Sequence, residues 1–324
     1  MKKIMVSICC ATYNHEDYIS DAIESFLMQK TDFQYEILIH DDASTDRTAD
    51  IIRKYEKKYP EIIKPIYQTE NQYSKGIKVN KYNIERAKGK YIAICEGDDY
   101  WTDPYKLQKQ VDYLENHPEC SMCVHAAYRV SPSKRKLEKH VRPNKGNKIF
   151  TVEEVIEGGG GLFATNSIMY PRKFGLSLPA FYENAPVGDY PLAIYLALQG
   201  TVYYIDEYMS VYRVGVSGSW TSRMNQDKQK NLEHQELIIK MLKEIDEYSN
   251  YFYTSTINKL ILKKQFELNV FKGDFDCIKK GKYKTIYNSL HIKDKTKILL
   301  KQYCPALVEV IRTARRKYRA WKLR

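Results

Sequence analysis

Glu96, Asp98 and Asp99 crowd three carboxylates into four positions, directly after the apolar run Tyr91–Cys95 and just before Trp101. Carboxylates at that spacing repel one another, so a compensating charge is expected beside them. A divalent cation with a phosphate behind it would supply that charge, since such ions take one or two carboxylates and fill their other positions with phosphate oxygens. Two more polar or acidic clusters follow apolar runs in the same way: Thr12-Tyr13-Asn14 after Val6–Ala11, and Asp41-Asp42 after Tyr35–His40.

The elements that would hold these clusters can be read from periodicity. Val6–Ala11, Tyr35–His40, Ile62–Tyr67 and Tyr91–Cys95 are short, nearly continuous apolar runs and predict buried strands. Between them, apolar residues at 19, 22, 23, 26 and 27 predict a helix over 17–29, and Ala49, Ile52, Tyr55 and Tyr59 predict another that ends at Pro60. A short helix is expected over 82–88, and a further one after Asp103-Pro104 with Leu107, Val111 and Leu114 on its buried face. Strand and helix in alternation imply an α/β fold with a mostly parallel sheet covered on both faces. Ligands bind such sheets at the carboxyl ends of the strands, where all three clusters stand. Beyond residue 120, strands are expected over 122–129, 139–142, 165–170, 203–205 and 209–212, with a helix from Asp189 to Gln199 ending at Gly200. From about Gln226 the pattern is helical and Lys-rich, which places a boundary near residue 222.

The chain has 324 residues, 43% of them hydrophobic, enough to bury a real core and too many for a disordered chain. No apolar stretch is long enough to span a bilayer, and Ile4–Ala11 is too short for a secretory signal. The seven cysteines have no framework spacing and read as reduced thiols of a cytoplasmic protein; Cys120 and Cys123 stand without a second pair to complete a zinc site. Net charge is +12, and Lys301–Arg324 holds eight Lys or Arg against the one acid Glu309. Apolar residues interleave that basic tail, as in a helix that lies on an anionic lipid surface.

The blocks VSICCATYNHEDYI (6–19), EILIHDDASTDRTADII (36–52), AKGKYIAICEGDDYWTDPYKLQKQVDYL (87–114) and VGDYPLAIYLALQG (187–200), followed by VYR (211–213), resemble in that order the inverting glycosyltransferases of family 2. The resemblance covers about residues 4–215 and implies the GT-A fold for residues 1–222, with 223–324 a basic helical extension. It implies that Glu96-Gly97-Asp98-Asp99 is similar to the family's Asp-x-Asp element, with Glu where Asp is commoner. Residues i and i+2 of an extended segment point the same way, so Glu96 and Asp98 can aim at one Mn2+ or Mg2+, with Asp99 beside them and Gly97 letting a ligand approach the backbone. Asp41 or Asp42 would recognise the uracil or ribose of the donor, and Thr12, Tyr13 and Asn14 would line its base. Asp189 stands where the family has its catalytic base, although Gly188 replaces the usual preceding acid; a helix-terminal placement would hold its pKa low. Arg213 would pair with the diphosphate, or else serve in a structural salt bridge. The glycine run 158–161 would let the chain lie close to a sugar, and Trp101 and Trp220 are candidates to stack on one. His40 reads as a strand-end residue.

The expected function is therefore metal-assisted, inverting transfer of a sugar from a nucleotide-sugar donor, UDP-linked, to a glycan or lipid-linked acceptor in surface-polysaccharide synthesis. The enzyme would be peripheral on the inner face of the membrane through its basic tail. Two rivals stand beside it. A binding module for nucleic acid or another anionic surface suits the tail, but carboxylate clusters oppose phosphodiester backbones, and no nucleic acid is expected. A nucleotidyltransferase would need a Gly-rich phosphate loop with Lys or Arg, which the sequence lacks.

Overall fold

Residues 6–10 are buried completely or almost so, as happens to a strand with neighbours on both sides and cover on both faces. In the computed structural model, which describes residues 3–133, 140–216, 227–304, 306–308, 310 and 313–314, this segment is the centre of β1 (Ile4–Thr12). β1 pairs in parallel with β2 (Gln34–Asp41) and β4 (Tyr91–Ile94), and β2 pairs in parallel with β3 (Ile63–Tyr67). The helices α1 (Ile19–Leu27), α2 (Thr48–Lys58) and α3 (Asn80–Arg86) connect them. α1 inserts Ile19, Ala22, Ile23 and Phe26, all fully buried, into the core beneath the sheet. Each large apolar side chain removed from water in this way contributes about 1.5–3 kcal/mol.

The remaining strands extend the sheet in the order β3-β2-β1-β4-β8-β6-β9-β5, with β7 also on β9. They are β5 (Tyr100–Trp101), β6 (Cys120–Val130), β7 (Lys148–Phe150), β8 (Met169–Pro171) and β9 (Thr201–Arg213). β8 runs antiparallel between β4 and β6, β6 and β9 are parallel, and β5 and β7 are antiparallel to β9. The helices here are α4 (Lys106–Asn116), α5 (Val152–Gly158), α6 (Ala180–Glu183) and α7 (Asp189–Gln199). α7 buries every side chain from Tyr190 to Ala197, so no apolar stripe distinguishes one of its faces.

Several expectations need correction. The two strands expected over 203–205 and 209–212 are one strand of 13 residues, whose pairing with β6 shifts register around Tyr208 instead of stopping. Of the strand expected over 139–142, only an isolated bridge between Val141 and Ala127 forms among the described residues. Thr165–Ser167 is a 3-10 turn, and β8 begins at Met169. Helix α5 was not expected, although Thr151 and Glu154 form a reciprocal capping box at its start.

The chain divides into two compact units, residues 1–217 and 218–324. The second contains α8 (Lys228–Tyr248), α9 (Thr254–Lys272), α10 (Phe275–Ile278), α11 (Lys284–Ser289) and α12 (Ile292–Tyr303), with its own small core of Phe266, Ile278, Tyr283 and Ile298. The boundary expected at 222, Trp220 and most of the basic tail lie outside the described residues. Among the described residues no helix is long and apolar enough to cross a membrane. All seven cysteines are free thiols, five of them buried.

Candidate active site

The parallel register brings the three clusters to one edge of the sheet. Thr12 pairs with Asp41 across β1 and β2, and Cys9 pairs with Ile94 across β1 and β4. Beyond the strands, Gly97 N–H donates to the Ala11 carbonyl at 2.9 Å and Asp42 N–H donates to the Thr12 carbonyl at 3.0 Å. A Cβ on Gly97 would lie 2.5 Å from Thr12 Oγ1 and 3.1 Å from His15 Nδ1. The glycine is thus required by the first loop packing against it.

The three carboxylates of the 96–99 turn have different surroundings. Asp99 is buried, and both its oxygens accept from the protein: Oδ1 from Arg213 N–H at 2.8 Å, Oδ2 from Asn166 Nδ2 at 2.9 Å. Burial and the neighbouring carboxylates push its pKa well up. It holds the turn in place. Glu96 and Asp98 are the two acids of the turn that are partly exposed. Burial, and then the charge of Asp98, push Glu96 up to about 8, and the charge of Asp189 acts on it in the same direction. His15, which the sequence reading passed over, has Nε2 4.0 Å from Asp98 Oδ2, while its Nδ1 is buried without a hydrogen-bond partner.

Arg213, expected on the diphosphate, is enclosed. Its side chain is 0% exposed, donates to the Asp21 carboxylate and the Asp98 carbonyl, and lies between Tyr18 at 4.9 Å and Tyr100 at 4.7 Å. In this arrangement it fixes the backbone of the acidic turn, and its guanidinium is enclosed by protein.

Asp41 and Asp42 also separate. Asp42 accepts from the Gln72 and Tyr73 N–H groups at 2.8 and 3.0 Å, with His40 Nε2 at 3.3 Å, so it anchors the loop after β3. Asp41 accepts from Ser44 Oγ, and burial raises its pKa. Asn14, in a left-handed conformation with φ 54°, links the first loop to the second: its Oδ1 accepts from Thr45 N–H at 2.7 Å, and its N–H donates to Ser44 Oγ at 2.9 Å. Thr12 is buried with an unpartnered Oγ1, and Tyr13 is 40% exposed. His40 is buried and stacked on Tyr82, a strand-end residue as expected. Trp101 is core: it is 1% exposed, packs edge-on against Phe26, and donates from Nε1 to the Asn166 carbonyl at 2.9 Å.

Asp189 opens α7, as the helix pattern indicated. Its Oδ1 accepts from Tyr190 N–H at 2.7 Å, and Thr165 donates to the same carboxylate. The expected low pKa is overturned, because burial outweighs these bonds and the charge of Lys78, and the net shift is upward. A cavity of about 460 Å³ adjoins this carboxylate and is walled by the turn at Gly160-Gly161, Phe163, Arg129, His140 and Arg142. A Cβ on Gly160 would meet Tyr190 and, at 3.9 Å, Asp189 Oδ1, so the glycine run is an ordered wall of this cavity. Lys78 and Asn166 also escaped the sequence reading. Lys78 Nζ donates to the carbonyls of Ala185 and Val187, each at 2.9 Å, and so shapes the approach to α7. Neither residue carries a local signal, since their partners are remote in sequence.

Among the described residues no group of three or more His, Cys, Asp or Glu could hold a metal without other ligands. Glu96 and Asp98 do fit an ion that brings phosphate oxygens as its remaining ligands. They are hard oxygen donors close enough in the turn that, after burial, the charge of Asp98 raises the pKa of Glu96.

Residues 7–172 match the family model for glycosyl transferase family 2. An uncharacterized protein of Mycobacterium tuberculosis is 37% identical over 222 residues, which is 67% of this chain and 61% of that relative. The Escherichia coli protein WfaP, a UDP-Glc:alpha-D-GlcNAc-diphosphoundecaprenol beta-1,3-glucosyltransferase, is 40% identical over 112 residues, covering 34% of this chain and 41% of WfaP. The structure of S. aureus TarS residues 1–349 in complex with UDP-GlcNAc superimposes with a TM-score of 0.57 at 17% identity, over 90% of this chain and 78% of that one, and shares its fold. The acidic turn, the first two strand ends and the sheet that aligns them all fall within the matched segment, and the chain belongs to glycosyl transferase family 2.

Proposed function

We propose that this transferase moves a sugar with inversion from a UDP-linked donor to a glycan or lipid-linked acceptor in the synthesis of a surface polysaccharide. The observation that carries this reading is that the parallel register brings Thr12, Asp41 and the acidic turn to one edge of the sheet, inside the segment that matches the family. Asp189, whose carboxylate borders a cavity, would stand on the acceptor side. Asp41, Thr12 and Tyr13 lie at the neighbouring strand ends, where the nucleoside would sit. Asp42, Asn14, Asp99 and Arg213 hold those ends and the turn in register.

In the reaction the acceptor hydroxyl oxygen forms a bond to the anomeric carbon from the face opposite the diphosphate, and the bond from that carbon to the diphosphate breaks. Asp189 accepts the hydroxyl proton, a transfer favoured by its raised pKa. Glu96 and Asp98 would hold a Mn2+ or Mg2+ ion, which when bound neutralises the diphosphate leaving group. We assign residues 1–222 as the catalytic domain and 223–324 as a basic extension that makes peripheral contact with an anionic membrane.

The direct test is Asp189→Asn, assayed with UDP-sugars and lipid-linked or glycan acceptors. Transfer is expected to fall at least about a hundredfold, while binding of UDP with Mn2+ is retained. Full transfer activity in this variant would exclude Asp189 as the base.

A further inference from the structure

The cavity beside Asp189 has a second wall whose chemistry differs from that of a neutral sugar site. Arg129, His140 and Arg142 line it. The bridge between Ala127 and Val141, with bonds of 2.9 and 3.0 Å, pins the 140–142 segment to β6. His140 stands edge-on to Tyr128 at 5.2 Å and to Tyr208 at 5.5 Å, and those two tyrosines stack on each other at 4.2 Å. Its Nδ1 accepts from Arg129 N–H at 3.3 Å, so the neutral ring carries its hydrogen on Nε2 and can donate from there. Arg142 is clamped to Asp206 through Nε and Nη2, at 2.7 and 2.6 Å, which leaves its Nη1 hydrogens. Two guanidinium groups and an imidazole N–H thus line this wall, with Arg142 and His140 held in place and no acceptor among the three. Sugar hydroxyls both donate and accept, whereas phosphate oxygens only accept. The three non-bridging oxygens of a phosphate group match donors on three separate side chains, one each.

We propose that this cavity binds an acceptor carrying a phosphate group, with Arg129, His140 and Arg142 on the phosphate and the hydroxyl to be glycosylated facing Asp189. The proposal rests on Asp189 marking the acceptor side. It names the class of acceptor: a glycan with a phosphate close to the attacked hydroxyl, supplied either as a diphosphate-linked sugar or as a phosphorylated residue within a chain.

The test uses the full chain saturated with UDP and Mn2+, whose own binding is measured first; failure at that step would count against the donor-site reading and is scored separately. Four probes are then titrated by calorimetry: methyl glucoside, its 6-phosphate, methyl glucuronide, and benzyl-diphosphate-linked N-acetylglucosamine. At least one phosphorylated probe is expected to bind ten or more times as tightly as methyl glucoside, and which one does so identifies the source of the phosphate. Arg129→Gln, and separately Arg129→Gln with Arg142→Gln, are expected to cut that preference to threefold or less. The single variant leaves the Arg142–Asp206 pair intact if the double variant does not fold. Equal binding of phosphorylated and neutral probes, tighter binding of the glucuronide, no binding of any probe, or a preference that survives in Arg129→Gln would overturn the proposal.

Discussion

Lys106 offers a stringent test of how this interior treats charge. It sits at the start of α4, 0% exposed, with Nζ lacking a hydrogen-bond partner and lying 3.8 Å from the centre of the Trp101 ring. Burial lowers its pKa from the ordinary 10.5 to about 7. The unfolded chain therefore takes up a proton between pH 10.5 and 7 that the folded chain does not, and stability falls as pH drops through that window. At about 1.4 kcal/mol per pKa unit, the gap amounts to roughly 5 kcal/mol, fully present below pH 7 and relieved as pH rises toward 10.5. The Trp101 face can return about 2 kcal/mol to the charged form, which leaves a penalty of roughly 3 kcal/mol. Lys106→Met keeps the length of the side chain and removes the charge. Urea unfolding of both proteins at pH 6, 7, 8.5 and 9.5 should show the variant more stable by about 3 kcal/mol or more at pH 6, with the advantage shrinking steadily above pH 7. A difference that does not change with pH, or a variant less stable than the parent at pH 6, would refute the reasoning and mean that Nζ is solvated or paired.

Other consequences can be checked separately. Gly97→Ala should weaken UDP–Mn2+ binding at least tenfold in calorimetry, because the added Cβ would sit 2.5 Å from Thr12 Oγ1 and force the acidic turn off the first loop. Asp42→Ala leaves the Gln72 and Tyr73 N–H groups without their acceptor; a loss of about 1–3 kcal/mol is expected, with faster hydrogen exchange at those two amides. Asp99→Asn turns an amide N–H toward Arg213 N–H or the Asn166 amide. It should lower stability by about 2 kcal/mol, where a ligand-only role for Asp99 would predict none.

The strand ends were legible because two local signals coincide there. Apolar runs such as Tyr35–His40 mark fully covered strands, and a parallel sheet carries each run's polar successor to the same edge. What the sequence could not distinguish was orientation within a cluster. Glu96, Asp98 and Asp99 look alike as letters, yet Asp99 is claimed by Asn166 and Arg213, 67 and 114 residues away. Asp41 and Asp42 divide in the same manner once Gln72 and Tyr73 occupy the second of them. The choice between diphosphate and salt bridge for Arg213 could not be made from the sequence, because nothing marks Asp21, its partner 192 residues earlier, for that role. Helix α7 was bounded correctly by Asp189 and Gly200, but the pKa of Asp189 depends on burial by segments that the helix pattern does not contain.

The dependence of the acidic turn on Arg213 also constrains the order of events during synthesis. The turn is complete in sequence by residue 99, yet the N–H that fixes Asp99 and the guanidinium that holds the Asp98 carbonyl arrive only with the end of β9, 114 and 115 residues later. At the usual pace of translation that is a delay of roughly ten seconds. Until β9 is made, a nascent chain that has paired β1, β2 and β4 therefore lacks the two contacts that hold the Asp98–Asp99 backbone.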